Sequence, residues 1–71
     1  MKGKSVFTKK EEEKIRLVLR GLRATPPNRQ KAIRDQLRSV DFYISDWAGN
    51  DECFTVAEFD RLIEIGRVTI L

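Results

Sequence analysis

The side chains of this 71-residue chain best suited to meet a charged ligand are cations at helical spacing. Arg16, Arg20 and Arg23 recur at intervals of four and three, and Lys31, Arg34 and Arg38 at intervals of three and four. Such intervals put side chains on one flank of an α-helix, which turns about 100° per residue. Taking Ile15 as the inward direction of a first helix, Arg16, Arg20 and Arg23 fall at about 80–140°. Taking Ile33 as inward on a second, Arg34, Arg38 and Lys31 fall at about 100–160°. On an antiparallel hairpin these similar offsets are expected to gather the six onto one broad face, interrupted by Glu12 and Glu13. Five of the six are arginine, whose planar fork matches phosphate oxygens bidentately. The expected chemistry is contact with a nucleic-acid backbone or another polyanion, driven by counterion release and without base specificity. The competing reading is a solvated helical face.

A second feature of the first helix points to protein contact instead. Leu17, Gly21 and Ala24 lie at about 180–240°, opposite the inward stripe. An exposed leucine beside a glycine lets another helix approach closely, so the alternative function is a protein-interaction or homodimerisation module. Tyr43 and Trp47 could serve as stacking or anchoring residues, but in a core this small they are expected to pack.

Catalytic chemistry finds little to work with. There is no histidine, so the usual general base is missing. Cys53 lies beside Asp51 and Glu52, which oppose any lowering of its thiol pKa by a nearby helix start, and it reads as inert. Gly3-Lys4-Ser5 lacks the upstream glycine and strand of a phosphate-binding loop. The stretch from Asp46 to Ala57 departs from a calcium loop at Ala48, Asp51 and Ala57. Glu12-Glu13-Lys14 sits in the first turns of a helix with no partner strand to complete a nuclease site. Asp46, Asp51 and Glu52 read as solvated loop acids rather than a magnesium site. The expectation is therefore a non-enzyme with no cofactor and no metal.

Charge is divided along the chain. Residues 1–40 hold twelve Lys/Arg against four acids, net +8, and residues 41–71 hold two against seven, net −5. This favours a polyanion partner for the basic half, although the halves could also neutralise each other within the fold or between protomers. No apolar run exceeds four residues and no secretory leader is evident, so a cytoplasmic protein without a membrane partner is expected. One cysteine cannot form an internal disulfide.

The elements that must position these groups are legible in outline. Thr8 and Glu11 form a capping box that opens a helix over residues 8–24, with Ile15, Val18, Leu19 and Leu22 as its apolar stripe. Pro26-Pro27 ends it and pre-sets a second helix over 28–40, with a stripe of Ile33, Leu37 and Val40. Phe42-Tyr43-Ile44 suggests a strand over 42–45, followed by a polar loop over 48–52. Thr55 and Glu58 repeat the capping box, with Phe54 and Phe59 placed for a hydrophobic staple, and Gly66 fits a left-handed C-terminal cap. Residues 67–71 read as a strand pairing with 42–45. The Pro-Pro break does not suit a helix-turn-helix motif. The fold expected is thus one mostly helical α+β domain over 1–71, in the order α-α-β-α-β, with residues 1–7 a flexible arm.

Overall fold

The computed structural model describes residues 2–47 and 54–71, so the expected loop over 48–52 and Cys53 lie outside the described residues. Its elements in order are β1 (Val6–Phe7), α1 (Lys9–Ala24), a 3-10 turn (Pro27–Arg29), α2 (Gln30–Arg38), a second 3-10 turn (Ile44–Asp46), α3 (Val56–Glu64) and β2 (Thr69–Ile70). The described residues are mostly helical, with one short two-stranded sheet.

That sheet corrects two expectations. β1 pairs in parallel with β2, Val6 opposite Thr69 and Phe7 opposite Ile70, through Thr69 N–H to Ser5 C=O (2.8 Å) and Leu71 N–H to Phe7 C=O (2.9 Å). Among the described residues the order is therefore β-α-α-α-β, with the three helices in the long connection that parallel strands require. Residues 42–45 form no strand because their backbone groups are used locally. Phe42 N–H returns to Leu37 C=O (3.1 Å), and Asp46 and Trp47 N–H close onto Tyr43 and Ile44 (3.0 and 2.9 Å). Nor are residues 2–7 a free arm. The N–H groups of Lys2 and Gly3 each donate to one oxygen of the Asp46 carboxylate at 2.8 Å. Lys4 N–H donates to Asp41 C=O (3.0 Å), and Phe7 is fully buried.

α1 begins as expected. Thr8 Oγ1 accepts from Glu11 N–H (3.2 Å), and the Glu11 carboxylate accepts from Thr8 N–H (2.9 Å). Its stripe of Ile15, Val18, Leu19 and Leu22 is buried. α3 opens differently: Thr55 is its N-cap, but the side chain makes no capping bond. Phe54 and Phe59 instead meet through Phe42, whose ring lies 5.8 Å from Phe54 and 5.5 Å from Phe59. Phe7 adds a third contact to Phe42 at 5.8 Å. One aromatic ring thus ties β1, α3 and the chain after α2 into one core, each tilted pair adding about 0.5–1.5 kcal/mol beyond its buried area.

The C-terminal caps of α2 and α3 share one device. Gly66 takes φ +80° while Arg67 N–H returns to Leu62 C=O (2.9 Å), the left-handed cap its position implies. Asp41 does the same at φ +60°, with Phe42 N–H on Leu37 C=O. Aspartate tolerates this region better than most residues, and the turn aims Phe42 into the core.

Candidate nucleic-acid interface

The apolar stripe of α1 fixes the direction of everything else on that helix. Arg16, Arg20 and Arg23 lie to one side of it and Lys14 to the other. Lys14 Nζ donates to Ser39 Oγ at the end of α2 (3.0 Å). Arg16 pairs with Asp60 of α3, so Arg16 is turned to α3 and Lys14 to the end of α2.

Arg16 is built into that seam. Its guanidinium also meets the Glu12 carboxylate, one turn earlier, at 3.0 Å, and lies 5.2 Å from the centre of the Phe59 ring. Partial burial works against the charge, but hydrogen bonds to Asp60 and Glu12 outweigh it and hold the group more firmly protonated. A phosphate arriving here would have to displace two carboxylates.

On α2, Arg34 and Arg38 line a shallow hollow with Leu37, Phe42, Tyr43 and Ile44. Arg38 bridges to Asp35 (3.3 Å), three residues earlier, and lies 5.8 Å from the centre of the Tyr43 ring. Arg16 belongs to the α1–α3 seam, while Arg34 and Arg38 sit against the chain that follows α2.

What the structure does bring together is the end where α1 passes into α2. Gln30 Nε2 donates to the carbonyls of Leu22 (3.3 Å) and Thr25 (3.0 Å), fastening the start of α2 to the last turn of α1. Around this junction Arg20, Arg23, Arg29 and Lys31 are all exposed. Among the described residues, none of these four has an acidic partner. α2 also opens with no side-chain cap and no acid in its first turn, so the positive end of its dipole adds to the same region. Arg29 was not among the expected contacts. The signal that finds it is the run from Lys14 to Arg34, which carries seven Lys/Arg and no Asp or Glu.

The residues of the second expected surface, Leu17, Gly21 and Ala24, lie on α1 with two exposed and Gly21 half-buried. Leu17 is 70% exposed, Ala24 is exposed, and a Cβ added at Gly21 would meet nothing within 4 Å. Elsewhere, both oxygens of Asp46 are taken by backbone N–H groups, Asp51 and Glu52 lie outside the described residues, and no helix among the described residues is long and apolar enough to cross a membrane. Comparison of the chain with protein-family models, with curated proteins and with solved structures finds no match.

Proposed function

We propose that this chain is a small non-catalytic binding module that contacts nucleic-acid backbone through the basic end of its N-terminal helical hairpin. The observation that carries this reading is the set of four exposed cations, Arg20, Arg23, Arg29 and Lys31, around one helix junction in a 21-residue run without an acid. A hairpin of opposite sense is supported by the bonds at its two ends: Gln30 to Leu22 at one, Lys14 to Ser39 at the other. Arg34 and Arg38 form a secondary basic patch, and Arg16 has a structural role in the α1–α3 seam. Contact is with phosphate rather than bases, so affinity depends steeply on salt. The lack of histidine supports a non-catalytic role, and one cysteine suits a reducing, cytoplasmic setting.

The test is a fluorescence-anisotropy titration with labelled DNA and RNA at about 50 and about 200 mM salt. Binding that weakens sharply at the higher salt, and that the double variant Arg20→Glu/Lys31→Glu abolishes while its unfolding curve stays that of the parent, is the expected result. Binding unchanged by the double variant, or absent at low salt, removes the reading.

A second reading rests on the strip of Leu17, Gly21 and Ala24, an apolar step on an otherwise charged helix face, which suits homodimerisation or a partner helix. It expects a dimer in sedimentation that Leu17→Glu converts to monomer. A parent chain that is monomeric across the accessible concentration range removes it.

A further inference from the structure

Resting on the reading above, we infer that the ligand of this basic end is duplex nucleic acid, gripped by its phosphates and preferred over single strands of the same sequence. Proteins that hold single strands combine a basic groove with aromatic platforms on which successive bases stack. This chain has six aromatic residues, all within the described structure. Phe7, Phe42, Phe54 and Phe59 are buried in the core. Trp47 is packed against the core with its indole nitrogen buried, and the Arg38 guanidinium lies over the Tyr43 ring. Both of these follow the far end of α2, whereas Arg20, Arg23, Arg29 and Lys31 surround its start. The four cations thus have no ring beside them on which a base could stack.

Without stacking, charge density decides between the two forms. A duplex presents one phosphate per about 1.7 Å of axis, and each neutralised phosphate contributes about 0.9 to the salt slope, against about 0.7 on a single strand. Four contacts give a slope of about −3.6 on duplex and about −2.8 on single strand. Affinity for duplex then falls about 150-fold between 50 and 200 mM salt, and, taking the two forms as equal at the reference of about 1 M salt where the charge terms vanish, duplex is favoured about tenfold at 50 mM. Base sequence does not enter, because none of these terms touches a base edge.

The experiment uses the full chain with a mixed-sequence duplex DNA, its two separated strands, and a second duplex of unrelated sequence. Anisotropy is followed over 50–200 mM salt. The expected result is tighter binding of both duplexes than of either strand, equal affinity for the two duplexes within about twofold, and a slope near −3.6. The variant Tyr43→Leu should leave strand affinity unchanged. Strands that bind as tightly as the duplex, or strand binding lost in Tyr43→Leu, overturn the duplex preference while leaving nucleic-acid binding intact. Failure of every probe at 50 mM overturns the proposed function itself.

Discussion

Arg16 and Arg20 stand one turn apart on the same flank of α1, and they belong to two different regions of the molecule. In the first half of α1, Glu11, Glu12 and Arg16 meet groups that use their charges. Lys4 bridges to Glu11 at 2.9 Å, Arg16 is held by Glu12, Asp60 and Phe59, and the segment before α1 is pinned to Asp46 and Asp41. Around the second half, where α1 passes into α2, Arg20, Arg23, Arg29 and Lys31 are exposed and have no acid opposite them among the described residues. Residue type is shared between the two regions. What differs is what the fold lays across from each side chain, and that decides whether an arginine cements the protein or remains available to a phosphate.

The largest effect is expected from breaking the pinned region at Gly3. A Cβ there would lie 2.1 Å from Asp41 C=O and 2.8 Å from the Tyr43 ring. The carbonyl belongs to backbone in the left-handed cap of α2, so it cannot move aside without disturbing Phe42. Gly3→Ala should cost about 1–3 kcal/mol, the usual range for forcing a methyl into filled space. Arg23→Ala, in the free region, should change stability by less than about 0.5 kcal/mol. Urea unfolding of both variants checks this. A Gly3→Ala protein as stable as its parent would mean that residues 2–7 are not pinned.

The same contrast explains how much was legible in the sequence. α1 was readable because the Thr8 capping box and the Ile15 stripe are local signals, complete within a few turns. The Gly66 cap was readable for the same reason. The pairing of β1 with β2 was not, because two-residue strands carry no periodicity and their partnership spans the whole chain. The aromatic run Phe42-Tyr43-Ile44 misled: it has strand composition, but Asp41 turns the chain after α2 and spends the Phe42 N–H on Leu37. At the candidate site, the spacing of the arginines was legible and their partners were not. Nothing on α1 says that Asp60 and Phe59, more than forty residues later, will lie opposite Arg16 rather than Arg20.

A middle-sized effect tests that last point directly. Arg16→Ala loses two carboxylate contacts and the packing of its stem on Phe59, but the site is partly exposed, so solvent screening limits the cost to about 1 kcal/mol. Arg20→Ala should fall within about 0.5 kcal/mol of the parent. Duplex binding should reverse the order: Arg16→Ala leaves the salt slope unchanged, and Arg20→Ala makes it shallower by about 0.9. In a double-mutant cycle, Arg16→Ala and Asp60→Ala should be non-additive, since each removes the same contact. Additive losses would place Asp60 outside the seam.

The smallest effect is at acid pH, where the carboxylates of the pinned region act. The N–H of Lys2, with that of Gly3, holds the Asp46 carboxyl below its usual range, and the N–H of Thr8, with Lys4, does the same for Glu11. A carboxyl whose folded pKa is depressed stabilises the fold above its unfolded value, about 3.9 for aspartate and 4.3 for glutamate. That contribution is lost as pH falls through the folded value. These two groups therefore leave stability flat from about pH 5 to 8 and make it fall below about pH 4. Asp46→Asn keeps one acceptor oxygen but sets an amide NH2 against the second backbone N–H, so it should be less stable than the parent at neutral pH. The gap should close as the parent's Asp46 protonates, and urea midpoints of both proteins between pH 7 and 2 measure it. Parallel curves that keep the same gap to pH 2 would mean that the Asp46 charge contributes nothing to holding residues 2–3. The pinning of that region would then rest on the β1–β2 pairing and the burial of Phe7.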